Sequence, residues 1–174
     1  MEVKIDSPDP NTHAGEIICR GDNLMLGYYK NAEATAQIID KDGWLHTGDL
    51  ATIDEQGYVT IRGRSKNLLL NSSGQNIYPE EIESKLNNMP YVAESLIVLQ
   101  NDKLVALIYP DFDDAFAHGL QQPDIEKAME ANRLELNLQL PAFSQISKVK
   151  IHFEEFEKTA KKSIKRFMYQ EAKG

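Results

Sequence analysis

Between Trp44 and Glu83 the sequence gathers the groups that a nucleotide pocket needs. Trp44-Leu45-His46-Thr47-Gly48-Asp49-Leu50 sets a carboxylate beside a glycine and a hydroxyl. Arg62-Gly63-Arg64 follows, then Asn71-Ser72-Ser73-Gly74-Gln75, then Ile77-Tyr78-Pro79-Glu80-Glu81-Ile82-Glu83. A carboxylate at the end of a strand can accept hydrogen bonds from both hydroxyls of a ribose. A guanidinium offers donors in a fixed fork to a ribose or phosphate oxygen. Gly74 can take positive φ and admit a ligand close to the backbone. Each group also has a plainer reading. Asp49 alone could cap backbone N–H groups in a turn. Arg62 and Arg64 share a strand face by two-residue alternation and could pair with the acidic Asp54-Glu55 region. Arg62 is read that way. Gly74 and Pro79 also suit an ordinary hairpin turn and helix start.

These groups need a framework. The sequence predicts a turn-rich loop over 1–14, then a strand over 16–20. Asn31 caps a helix reaching residue 39. Strands over 50–53 and 58–62 pair around Asp54-Glu55-Gln56-Gly57. A second hairpin joins 67–70 and 75–77. Pro79 opens a helix to about residue 88, with acidic residues in its first turn. Runs rich in β-branched and aliphatic residues over 92–100 and 103–109 form another hairpin. Residues 111–123 read as an irregular loop and 124–138 as an amphipathic helix. A strand follows over 149–153, then a basic exposed loop over 158–163 and a short helix over 164–172. Strands in hairpins with single helices between them predict an α+β fold with antiparallel sheets.

Composition narrows the function. The 174 residues carry 41% hydrophobic and 26% charged side chains, enough for one or two small domains. A net charge of −8 argues against sequence-independent nucleic-acid binding. No apolar run approaches the roughly 20 residues that span a bilayer. The first ten residues lack the apolar stretch of a signal peptide. The lone Cys19 suits a strand position in a reducing compartment. His13, His46, His118 and His152 lack zinc-type spacing, so no metal site is expected.

In order and spacing, the motifs resemble those of the AMP-forming acyl-CoA synthetases. That superfamily includes peptide-synthetase adenylation domains and firefly luciferase. Gly15-Glu16-Ile17-Ile18, Gly27-Tyr28-Tyr29-Lys30-Asn31, the Thr47-Gly48-Asp49 segment and Gly63-Arg64 all have counterparts there. So do residues 72–83, Leu140-Pro141-Ala142-Phe143, and Lys158-Thr159 with Ile164-Lys165-Arg166. The resemblance covers about residues 14–168. It implies that Asp49 and Arg64 bind the nucleotide, that Lys66 is a hinge, and that Ser73, Gly74 and Gln75 line the path of coenzyme A. The family's catalytic lysine aligns with Ser163, its preceding glycine with Lys162, and the proline after the threonine with Ala160. Serine carries no charge. Lys162 is therefore the candidate catalytic residue, with Lys161 a weaker substitute.

The family's phosphate loop, adenine segment and acyl pocket lie upstream and are not found here. The expectation is thus the C-terminal portion of an AMP-forming acyl-CoA ligase, for a long-chain fatty acid, inactive by itself. Residues 1–65 would end a large, distorted barrel-like body; residues 66–174 would form a small α+β lid. The implied cofactors are ATP/AMP and coenzyme A, with Mg2+ held by residues outside this chain. The implied partner is the missing N-terminal domain, and the cut β-rich part could self-associate. A cytoplasmic location is expected, with peripheral membrane attachment of the full enzyme left open. The alternatives are another adenylating enzyme, such as an aryl-CoA ligase or peptide-synthetase domain, and a non-catalytic binding module.

Overall fold

The computed structural model describes residues 1–170. The chain divides into two compact units, Met1–Leu68 and Leu69–Gly174. Residue 65, where the sequence places the boundary, opens a short 3-10 turn, Ser65–Asn67.

The first unit is a four-stranded antiparallel sheet. Its strands are β1 (Glu2–Asp6), β2 (Gly15–Arg20), β3 (Leu45–Ile53) and β4 (Val59–Arg64), in that order across the sheet. β1 corrects the expected loop over 1–14. Val3 and Ile5 alternate with polar residues, and Ile5 is buried. The period of two was outweighed in the sequence by Pro8 and Pro10 just beyond it. Gly15 is required by close approach: a Cβ there would lie 2.1 Å from the Asp6 carbonyl oxygen. The helix α1 (Ala32–Ile38) forms as the sequence predicts, with Asn31 Oδ1 accepting the Ala34 N–H at 3.0 Å. Asp54 builds the β3/β4 turn by accepting the Gln56 and Tyr58 N–H groups. β3 starts five residues before the expected 50, so the whole Thr47-Gly48-Asp49 motif lies inside a strand.

The second unit begins with the small hairpin β5 (Leu69–Leu70) and β6 (Asn76–Ile77), followed by α2 (Pro79–Leu86). Then come β7 (Val92–Gln100), β8 (Lys103–Pro110), α3 (Phe112–Ala117), α4 (Gln122–Asn137) and β9 (Ile146–Ile151). β7, β8 and β9 form one sheet. β7 and β8 are an antiparallel hairpin, but β9 joins β8 in parallel. The segment containing α3 and α4 supplies the long connection that a parallel pair needs. Ile97, Ala106, Ile108 and Ile146 pack with Ile82, Leu86, Ile125, Met129 and Leu136 of α2 and α4. Leu96, Val98, Val105 and Leu107 pack with Phe156, Ile164 and Tyr169. Cover on both faces explains the unbroken apolar runs 96–99 of β7 and 104–109 of β8.

Three further expectations change. Residues 111–123 hold α3, whose N-cap Asp111 accepts the Asp114 N–H at 3.0 Å. β9 begins three residues before 149. The expected helix over 164–172 is a 3-10 turn, Arg166–Met168, and its positions 171 and 172 lie outside the described residues. At its start the Lys165 N–H donates to the Glu157 carbonyl at 2.8 Å, a bond outside the i→i−4 ladder that an α-helix needs. Among the described residues no helix is long and apolar enough to cross a membrane.

Candidate functional site

The Thr47-Gly48-Asp49 motif is a bulge, and its residue types follow from that. Ile18 faces His46 and Glu16 faces Leu50, so Thr47, Gly48 and Asp49 together oppose Ile17. Extra residues in a strand lose ladder partners, and their backbone groups must bond elsewhere. The Thr47 hydroxyl donates to the Ile17 carbonyl at 2.8 Å and accepts the Asp49 N–H at 3.1 Å. Gly48 has φ +74°, a conformation that glycine adopts without strain. Its N–H donates to Glu16 Oε1 at 2.7 Å.

The bulge delivers Asp49 opposite Arg64 in the β3/β4 register. Arg64 Nη1 donates to Asp49 Oδ1 at 2.5 Å. Asp49 and Arg64 remain partly open, at 33% and 46% exposure. A carboxylate accepts about four hydrogen bonds and a guanidinium donates five. The pair can therefore hold each other and a ribose together. The two arginines differ. Arg62 is an extra residue in β4, between Ile61 opposite Ala51 and Gly63 opposite Leu50. The strand alternation behind the shared-face reading is therefore interrupted beside it.

A polar group that sequence reasoning missed lies behind the bulge. Glu16 Oε2 is 2.8 Å from His46 Nδ1, and His46 Nε2 is 3.7 Å from Asp40 Oδ2. The hydrogen bond to Glu16, aided by the charges of Glu16 and Asp40, holds the His46 pKa above its usual value. Asp40 is held below the usual carboxylate range, chiefly by the Trp44 N–H it accepts. Glu16 and His46 are thirty residues apart in sequence, so no local pattern joins them.

The remaining candidates sit as follows. Lys66 is exposed within the 3-10 turn Ser65–Asn67. Ser73, Gly74 and Gln75 form the exposed turn between β5 and β6. Asn71 builds it, its Oδ1 accepting the Ser73 and Gln75 N–H groups at 3.0 and 2.9 Å. Gly74 has φ +74° with open space where a Cβ would stand. The basic segment is a tight turn, with Lys158 bridged to Ile164. Thr159 N donates to the Ser163 carbonyl and Lys162 N to the Thr159 carbonyl, both at 2.8 Å. Lys158 reaches Glu94 at 2.8 Å and Lys165 reaches Glu157 at 3.4 Å. Lys161, Lys162 and Ser163 are exposed at the apex. Lys162 has φ +61°.

Comparison with known proteins places these features in context. Residues 66–172 match the family described as AMP-binding enzyme C-terminal domain. The 2-methylpropanoate–CoA ligase CCL4 of Humulus lupulus is 32% identical over 98% of this chain and 31% of its own length. The feruloyl-CoA synthase of Amycolatopsis sp is 42% identical over 52% of this chain and 18% of its own. The crystal structure of ATP-bound MatB from Rhodopseudomonas palustris aligns over 97% of this chain and 33% of that one. Its TM-score is 0.69 and its identity 28%. The chain thus spans about a third or less of the length of these relatives.

Proposed function

The chain belongs to the AMP-binding enzyme C-terminal domain family, and from that premise we propose that it is the C-terminal portion of an AMP-forming acyl-CoA ligase. In the reaction, a carboxylate attacks the α-phosphorus of ATP and pyrophosphate leaves. The thiol of coenzyme A then attacks the acyl carbonyl, and AMP leaves. The observation that carries this reading is the Asp49/Arg64 pair presented by the β3 bulge.

Asp49 accepts the ribose hydroxyls, and Arg64 both steadies Asp49 and donates to the nucleotide. Lys66 is the hinge about which the second unit turns between the two half-reactions. Ser73, Gly74 and Gln75 offer an exposed backbone along which the pantetheine arm can lie. Lys162 neutralises charge developing on the carboxylate and α-phosphate oxygens. Two facts support its choice. Lys158 and Lys165 are engaged with glutamates, whereas Lys162 stands exposed at the turn apex. Lys162, aligned with the family's glycine, has φ +61°, a conformation that glycine adopts without strain.

Magnesium would neutralise phosphate charge in such a reaction. We place its ligands outside this chain. The substrate is read as a long-chain fatty acid. That choice rests on the Tyr28-Tyr29-Lys30-Asn31 and Glu157-Lys158-Thr159 segments. The two relatives are named for different acids, 2-methylpropanoate and ferulate.

The test is pyrophosphate exchange and thioester formation by the ligase that carries this segment, across fatty, short-chain and aryl acids. Activity greatest with long-chain acids supports the full reading. Activity only with aryl or amino acids moves it to another adenylating enzyme. A complete protein that neither binds ATP nor exchanges pyrophosphate would be a binding module. The 174-residue chain alone should form no acyl-adenylate, because it holds too few cationic groups to neutralise the phosphates.

A further inference from the structure

We propose that Glu16 is a positioning residue that sets Asp49 for the nucleotide. It acts through the backbone of β3 and does not touch the ligand. The inference rests on the role proposed for Asp49.

One carboxylate serves two points of the bulge. Oε1 accepts the Gly48 N–H at 2.7 Å, and Oε2 meets His46 Nδ1 at 2.8 Å. These contacts fall on either side of Thr47, at the place where β3 departs from its ladder with β2. The Thr47 hydroxyl satisfies the Ile17 carbonyl and the Asp49 N–H. The Gly48 N–H next to Asp49 is satisfied by Glu16, from the neighbouring strand. Hydrogen bonds to an ionised acceptor are about twice as strong as neutral ones. Gly48 lacks a side chain to restrict its peptide, so this bond limits how the Gly48-Asp49 backbone can turn. Asp49 must keep its direction to share Arg64 with a ribose, and that direction begins at this peptide.

The charged groups facing His46 give the arrangement a readout. Glu16 comes from β2, and Asp40 from the turn that precedes β3. When the imidazole loses its proton, Glu16 loses a charged partner and its hold on Gly48 is altered. Titration of His46 should therefore be felt at the Gly48 amide, and through it at Asp49.

Two measurements test the proposal. In an NMR pH titration of the 174-residue chain, the Gly48 amide should follow the midpoint of the His46 ring. In E16Q the His46 midpoint should fall, and the Gly48 response should be lost. In the complete ligase, E16Q should raise KM for ATP on the order of tenfold, the size of one lost charge-assisted bond. Its kcat for thioester formation from supplied acyl-adenylate should stay unchanged. A Gly48 amide indifferent to His46 in the wild type overturns the proposal, and that arm needs no variant to fold. A folded E16Q with lowered denaturation midpoint and unchanged KM for ATP also overturns it, leaving Glu16 merely structural. A wild-type ligase with no ATP-dependent activity would instead sink the proposed function, and the titration would still decide whether Glu16 governs the bulge.

Discussion

Arg166 grips Glu83 with two guanidinium nitrogens on two carboxylate oxygens, across 83 residues of sequence. The Glu83 carboxylate also accepts the Ile97 N–H at 2.7 Å. One acidic side chain on α2 thereby joins β7 to the segment that follows the lysine turn. Both side chains are well enclosed, at 9% and 15% exposure. Burial pushes the Glu83 carboxyl up, while Arg166 and the Ile97 N–H oppose that shift.

Arg166→Ala should therefore be costly, because it leaves a carboxylate enclosed without its charge partner. Breaking a buried pair from one side costs roughly 3–5 kcal/mol. Denaturant titration of the chain should show a loss of that order. Hydrogen exchange at Thr159 and Lys162, whose amides close the lysine turn, should quicken beyond the global change. Protection there unchanged relative to the sheet would mean that the pair does not hold the turn.

Asp49→Ala in the complete ligase should weaken ATP use more than acid binding. A charge-assisted hydrogen bond is worth roughly 1.5–3 kcal/mol, and two ribose hydroxyls are at stake. Because Asp49 and Arg64 are paired, Arg64→Ala should be non-additive with it in a double-mutant cycle. Wild-type ATP kinetics in Asp49→Ala would remove this residue from the site.

Lys162→Gly is the sharper test of the lysine, because glycine keeps the left-handed turn while removing the ammonium. Adenylation should fall, with thioester formation from supplied acyl-adenylate retained. Lys162→Ala should behave alike in chemistry, while keeping the Cβ that Lys162 already holds at φ +61°. Both half-reactions at normal rates would direct attention to Lys161 or to a residue outside this chain.

The His46 cluster predicts a pH dependence of stability. Its folded pKa is raised, chiefly by the hydrogen bond to Glu16. The folded chain then binds the proton more tightly than the unfolded chain. This contribution is fully present below the ordinary imidazole value of about 6.5, and is lost as pH rises through the folded midpoint. Asp40 has the opposite sign, its contribution fading as pH falls through its lowered carboxylate range. The denaturation midpoint should decline above about pH 6.5. His46→Gln should flatten that decline, and an unchanged slope would dissociate His46 from stability.

Self-association is expected through residues 15–62 if this sheet is part of a larger body. β4 is an edge strand with Val59 and Ile61 exposed, and Leu26 and Tyr29 are also exposed. Open edges and apolar surface favour association. Sedimentation at high concentration should show oligomers that Ile61→Lys reduces. A strictly monomeric chain would contradict the idea that a neighbour is missing from this face.

The sequence by itself determined what is local or periodic. Asn31 as a cap, Asp54 as a turn builder and Pro79 as a helix start act within four residues of themselves, so each was legible. The candidate residues were legible because their motifs are short and contiguous. The parallel docking of β9 was not, since antiparallel and parallel partners share one strand pattern and differ only in the path between them. The strand β1 and the helix α3 were hidden by nearby turn residues, and contacts with distant segments decided them. Pairing of Arg64 with Asp49, of Glu16 with Gly48 and His46, and of Arg166 with Glu83 was settled only in three dimensions. Each joins groups on residues 15 to 83 apart, and a hydrogen bond requires the few ångströms that only the fold supplies.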